Sequence, residues 1–268
     1  MKLRREFDGY DIAYGHDDFH EPWRASSPVV LLHGIAESQI TWNPWVPVLT
    51  PELTVIRPDL PGFGESPVTS SHWDWTPRRY AEALAEFLDD IDIPEFHLVG
   101  AKYGGKIALK MASMLGDRVL SLSVFSAQPY ALSGSNSARV AEVGVHRWAA
   151  ETQRARLGSS ASAEQVTFWT DELMAKADGS AVQGCIHASE NSDISPGLGA
   201  ISAPTLIVTT SGSELVDTEE VLRYQALIPG SEVLILPGDN YHPAVMDPQR
   251  CARMVKQHIL SATRDRQV

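Results

Sequence analysis

Six short apolar runs recur along the chain: PVVLLHG (28–34), LTVIRPDL (53–60), FHLVGA (96–101), VLSLSVFSA (119–127), PTLIVTT (204–210) and SEVLILPG (231–238). Runs this short and this continuously apolar suit strands covered on both faces, as in a parallel sheet. Ahead of them, residues 5–7 and 10–14 flank Asp8 and Gly9, and a two-residue Asp-Gly between short runs is the strongest local signal for a hairpin. The sheet is therefore expected to begin with an antiparallel edge. Tyr80, Leu84, Phe87 and Leu88 fall at helical spacing, as do Ile107, Met111 and Leu115, which predicts crossover helices between strands. From about residue 130 to 199 the strand pattern lapses. VGVHRWAAETQRARLG and AEQVTFWTDELMAKA read as helices rich in Trp, His and Ala. The prediction is one α/β domain with a mostly parallel sheet, its core formed by 1–129 and 200–268, with 130–199 inserted as a helical cap. SGSNS (133–137) and SSASA (159–163) read as loops, and SATRDRQV as a frayed tail. There is no internal repeat.

Composition narrows the partners. With 268 residues, 43% of them hydrophobic, the chain can bury a large core as one domain. A net charge of −12 repels phosphate backbones and anionic lipid, so neither nucleic acid nor a membrane surface is an expected partner. Cys185 and Cys251 are too few for a disulfide framework and lack zinc-site spacing; they read as reduced thiols. The N-terminus MKLRREFDGYDIAYG is broken by charge before an apolar stretch of signal length forms, and no later run reaches the roughly 18 apolar residues of a membrane span. The expectation is a soluble cytoplasmic protein. Dinucleotide, P-loop and metal-ligand spacings are absent, so neither a cofactor nor a metal is expected. Oligomeric state is left open, a homodimer included.

The candidate chemistry lies where FHLVG runs into GAKYGG. A strand that enters a small-residue turn and then a helix projects one side chain at a strained, exposed position, the geometry of the GxSxG elbow. Here Gly100, Lys102 and Gly104 occupy the G, S and G positions. With LLHGIAES (31–38), DLPGFGES (59–66), PTLIV (204–208) and LPGDNYHP (236–243) also present in the right order and spacing, the chain resembles the α/β-hydrolase superfamily. The likeness is greatest to the small capped enzymes that include enol-lactone hydrolases and hydrolases of carbon–carbon bonds, and it covers nearly the whole chain.

That resemblance implies an oxyanion hole made by the backbone amides of Ile35 and Tyr103, and a lysine where the family carries its nucleophilic serine. It places the family's acid in the loop after PTLIV, where Ser213 stands with Glu214 beside it and Asp217 a little further on. It places the family's histidine at Tyr241, with His242 one residue beyond. All three triad positions thus depart from the pattern, and plain serine hydrolysis is excluded at this elbow. His33 in the HG turn is counted with the substrate-binding residues, as a brace of the loop rather than a proton-transfer group. His146, Trp148 and His187 are expected to line the pocket from the cap, with Trp169 a further candidate. Asp59 reads as a turn residue, and Trp42 and Trp45 as packing.

A free lysine has a pKa of about 10.4 and is a cation at neutral pH. Burial and the positive end of the following helix would depress it. A neutral Lys102 can form a Schiff base with a ketone or aldehyde, or serve as a general base, with Tyr241 or His242 handling protons. Alternatively it stays charged and clamps a substrate carboxylate. The reading is a non-serine hydrolase or lyase that cleaves a C–C or C–O bond in a small carbonyl compound. The alternative is an inactive fold that retains a pocket for a small ligand.

Overall fold

The computed structural model describes residues 2–21, 23, 26–134 and 136–265. The Asp8–Gly9 turn joins β1 (Lys2–Phe7) to β2 (Tyr10–Asp17), with Phe7 paired to Tyr10 and Gly9 at φ 83°. A side chain at that φ is strained, which is why glycine closes the hairpin. The six apolar runs form β3 (Ser27–Leu32), β4 (Leu53–Pro58), β5 (Phe96–Ala101), β6 (Val119–Phe125), β7 (Thr205–Thr210) and β8 (Glu232–Leu236). The sheet runs β1-β2-β4-β3-β5-β6-β7-β8, antiparallel from β1 through β2 to β4 and parallel from there on.

Both faces of the central strands are covered, as the apolar runs predict. Val29 and Leu31 of β3 pack into one core with Trp42 and Trp45, while Val30 and Leu32 pack into the other with Phe87 and Ile107. The exception is β8, an edge strand whose Leu234 and Ile235 remain exposed; an apolar run alone does not distinguish a central strand from the last one. The crossover helices span Pro77–Asp90 and Tyr103–Leu115. Most of the presumptive tail is helical, since Pro248–Asp265 forms one helix whose apolar side enters the core through Cys251, Val255 and Ile259; residues 266–268 lie outside the described residues.

Between β6 and β7 the chain is helical. Asn136–Leu157 is interrupted at Gly144 (φ 78°, ψ 165°), Ala163–Thr167 continues into a wider turn at Phe168–Leu173, and Gly179–Asn191 packs back on the first helix. Of SGSNS, expected to be a loop, Asn136 and Ser137 already belong to the first helix and Ser135 lies outside the described residues. Among the described residues no helix is long and apolar enough to cross a membrane. Cys185 and Cys251 are buried free thiols.

Candidate active site

The site forms at the C-terminal ends of the parallel strands. β5 ends at Ala101 and the helix begins at Tyr103, so Lys102 alone absorbs the change of direction, at φ 56° and ψ −117°. A non-glycine residue there carries strain on the order of 1–3 kcal/mol. The turn is held by its surroundings: the Lys102 N–H donates to the Phe125 carbonyl at 2.8 Å, and the Lys106 N–H donates to the Lys102 carbonyl at 3.1 Å. A Cβ on Gly100 would strike the Gly104 carbonyl, and one on Gly104 would strike the Leu32 carbonyl. Both glycines are therefore required for the helix to begin this close to β3 and β5.

Three conformational details bring the HG turn to the same place. His33 is fully buried, with Nδ1 2.8 Å from the Gly34 carbonyl and Nε2 accepting from the Leu60 N–H at 2.9 Å. Those partners require a neutral ring with its proton on Nδ1, and burial holds its pKa below the usual value against the pull of Asp59. His33 is thus a brace. Ala36 takes φ 60°, which curls the turn so that the Gly34 N–H donates to Glu37 Oε2 at 3.2 Å. The Lys102 stem passes over Gly34, where a Cβ would lie 2.7 Å from Lys102 Cε.

This curl delivers Glu37, the central group of the site. Glu37 is 2% exposed; its Oε1 forms an ion pair with Lys102 Nζ, and its Oε2 lies 3.3 Å from His242 Nε2 and accepts from Thr41 Oγ1 at 3.3 Å. Lys102 is 7% exposed and His242 1%. Burial works to raise the Glu37 pKa, but Lys102 and His242 outweigh it and hold the carboxyl well below the usual range. Burial lowers Lys102; Glu37 opposes that shift, and Arg156 adds to it. His242 is lowered by burial and by Lys102, against Glu37. The result is an ionised carboxylate between two bases that release protons more readily than in water.

The loop after β7 borders the same cavity, through Glu214, Leu215 and Asp217, but does not reach His242. Glu214 and Asp217 are exposed, Ser213 Oγ accepts from the Leu215 N–H at 3.2 Å, and Asp217 caps the Thr218–Gln225 helix through the Glu219 N–H at 2.9 Å. Among the described residues none of the three bonds to His242, whose buried Nδ1 has no partner. In a serine triad that nitrogen is the one the acid orients. The carboxylate reaching His242 instead comes from LLHGIAES, on the opposite ring nitrogen.

Tyr241 and His242 are both brought to the site. The Tyr241 ring lies 5.9 Å from Lys102 Nζ, its hydroxyl is 3.3 Å from Gln128 Oε1, and its N–H donates to the Arg156 carbonyl at 2.8 Å. Ile35 and Tyr103 line the cavity, and Tyr103 opens its helix, so its N–H has no intrahelical acceptor. Trp148 lines the cavity too, and Trp169 stands edge-on to His242 at 5.6 Å. His146 and His187 do not: His146 is exposed and pairs with Asp171 at 2.7 Å, and exposed His187 neighbours Asn191. Helical spacing in the cap gave no means of telling the inward face from the outward one. The cavity measures about 550 Å³, a size that suits a small organic ligand. No group of three His, Cys, Asp or Glu side chains among the described residues is arranged to hold a metal.

Asp59 organises the adjoining loop, accepting from the Gln39 N–H at 2.6 Å and the Glu65 N–H at 3.0 Å. Trp42 and Trp45 pack edge to face at 4.9 Å, fully buried. Sequence reasoning missed Glu37 and Arg156. The available signal for Glu37 was a lone acid inside the otherwise uncharged stretch between HG and the Trp42–Trp45 pair.

Comparison with known proteins gives the broader setting. Residues 27–173 match a family model described as alpha/beta hydrolase fold. The chain is 35% identical over 96 residues to a haloalkane dehalogenase from Psychrobacter cryohalolentis, a stretch covering 35% of this chain and 32% of the dehalogenase. It spans between 26% and 32% of the length of the first curated relatives it matches. Among solved structures, the enol-lactonase from Burkholderia xenovorans LB400 superimposes with a TM-score of 0.86 at 16% identity, covering 96% of this chain and 100% of that one. A thermophilic esterase from Thermogutta terrifontis does so with a TM-score of 0.84 at 22% identity, covering 98% and 99%. At these identities the likeness to solved structures establishes the fold.

Proposed function

Because the chain belongs to the alpha/beta hydrolase fold family, we propose that it is an enzyme acting on a small carbonyl compound, with Lys102 as the reacting group and C–C or C–O cleavage as the outcome. The observation that carries this reading is the contact of buried Lys102 with Glu37, itself within reach of His242, at the floor of a cavity. A lysine used for imine chemistry must lose a proton and later see one returned. The contacts of Glu37 with Lys102 and His242 support giving it both transfers.

In this reading Lys102 passes one proton to Glu37 and attacks the carbonyl carbon as a neutral amine. The resulting carbinolamine loses its hydroxyl as water with the proton that Glu37 held, which leaves an iminium cation beside the regenerated carboxylate. The iminium then accepts the electron pair of the adjacent C–C bond, the other fragment departs as carbon dioxide or a carbonyl compound, and protonation of the enamine followed by attack of water releases the ketone and returns Lys102 as the amine. His242 is the outlet through which Glu37 exchanges protons, and the Ile35 and Tyr103 amides would hold developing oxyanion charge.

The ion pair favours a second reading, in which Lys102 stays protonated and electrostatically assists a water-driven C–O hydrolysis that uses Glu37 and His242 as base. Borohydride trapping with small β-keto acids and diketones, followed by intact mass and peptide mapping, separates the two. The imine reading expects a stable adduct on Lys102 that is absent in Lys102→Ala. No adduct, with turnover that still requires Lys102, selects the second reading. Absence of any Lys102-dependent turnover would overturn both and leave a small-ligand-binding module.

A further inference from the structure

The cavity above Lys102 holds a second cation that the reaction scheme does not use. Trp148, Thr152 and Arg156 follow one another at intervals of four on the Asn136–Leu157 helix, and all three line the cavity. Side chains so spaced lie one above the other on a single helical face. The Arg156 guanidinium sits 4.3 Å from the Trp148 ring and bonds Thr152 Oγ1. It has no carboxylate partner among the described residues. By contrast, Arg139 and Arg147 of the same helix are ion-paired with Glu142 and Glu151 on the outer surface.

The charge balance of the cavity follows from these partners. Lys106 also lines it, but its ammonium is taken up by the carbonyls of Tyr130, Ser189 and Ser192, at 2.9, 3.5 and 2.7 Å. Three carboxylates border the cavity, Glu214 and Asp217 as exposed side chains and Glu220 half-buried, and none of them is ion-paired with Arg156 among the described residues. Glu37 is shared by Lys102 and His242, so among the described residues Arg156 is left without an ion-paired carboxylate in a protein whose net charge is −12. Burial presses its pKa down to about 10, with Tyr241 and Glu37 opposing. A partly buried guanidinium without an anion is costly, and its planar fork matches a carboxylate in two parallel hydrogen bonds. Stacking on Trp148 and the bond to Thr152 fix the fork in place before any ligand arrives.

We infer that Arg156, held by Trp148 and Thr152, is the seat of a substrate carboxylate, so that the substrates are small keto acids with the ketone at Lys102 and the acid at the cap. This rests on the reading of Lys102 given above for the ketone end alone; the carboxylate end stands on the cap residues.

The test uses 4-oxopentanoate and its methyl ester, which differ only in the anion, against wild type, Arg156→Gln and Arg156→Lys. Circular dichroism and thermal melting verify that the variants fold. Calorimetric titration and borohydride trapping on Lys102 are read separately. Wild type should favour the acid over the ester by at least about tenfold, the scale of a charge-assisted hydrogen bond. Arg156→Gln should abolish that preference by weakening the acid alone, and Arg156→Lys, which keeps the charge but loses the fork, should fall between. Trapping of acid and ester alike, unchanged in Arg156→Gln, overturns the carboxylate seat and leaves the Lys102 chemistry standing. Arg156-dependent binding of the acid without any adduct supports the seat and overturns the imine. No detectable binding of the acid to wild type overturns the seat.

Discussion

Removing the negative charge of Glu37 tests the arrangement of the site directly. In Glu37→Gln the Lys102 ammonium keeps its buried position and loses its counterion, while the Gly34 N–H and Thr41 hydroxyl can still bond the amide oxygen. Removing one partner of a buried pair costs about 3–5 kcal/mol, because the survivor is left uncompensated. Lys102 limits that cost by giving up its proton. Its folded pKa, already lowered by burial, falls further once Glu37 no longer raises it. The unfolded chain then binds more protons than the folded one over the interval between the two pKa values, so the stability of the variant rises with pH across that interval. The deficit should therefore be largest near neutrality and shrink toward pH 10. The double variant Glu37→Gln/Lys102→Met has no stranded charge and should recover most of the loss, a coupling of at least about 2 kcal/mol in a double-mutant cycle. Urea unfolding followed by tryptophan fluorescence at several pH values gives all four corners. A cost below about 1 kcal/mol for Glu37→Gln at neutral pH, or a double variant no more stable than the single one, would rule out a stranded charge at Lys102.

Two further outcomes follow from the same structure. Gly104→Ala drives a methyl group into the Leu32 carbonyl, a backbone atom that cannot swing aside, and should destabilise the fold by about 2 kcal/mol or more in urea denaturation. Burial brings Lys106 from 10.5 down to about 8, against Asp193, so its folded pKa lies below its unfolded one. Stability should then rise with pH between about 8 and 10.5, by at most roughly 3 kcal/mol, relative to Lys106→Met, and parallel melting curves for the two proteins across that range would check it.

The fold was readable because its signals are local. The Asp8–Gly9 hairpin and six apolar runs each encode one strand, and the alternation of runs with helical spacing leaves few topologies open. The elbow was readable for the same reason: Gly100 and Gly104 stand beside Lys102 in the chain, and the contacts that make them necessary are consequences of that bend. The proton partner of Lys102 was not readable by position. Glu37 lies 65 residues earlier, and what brings its carboxylate inward is the φ of Ala36 together with the Gly34 N–H, neither of which leaves a mark in residue type. The acid sought after β7 illustrates the converse, since Glu214 and Asp217 fall in the expected loop yet face solvent. Arg156 escaped notice because an arginine on an amphipathic helix looks the same whether its face meets water or a cavity.

The bend at residue 102 has a consequence for how such a site can change over time. Its shape is set by Gly100, Gly104, the Phe125 carbonyl and the Leu32 carbonyl, all of which contact backbone and none of which senses the side chain at 102. The turn behaves as a socket: a single codon can exchange the side chain at 102 while the backbone that carries it stays fixed. What must adapt is the ion-paired neighbour, Glu37, which sits on a separate, short curl of chain outside the strands of the sheet. The side chain at this point and the architecture that presents it are thereby placed under separate residues, so a substitution at 102 need not cost the fold.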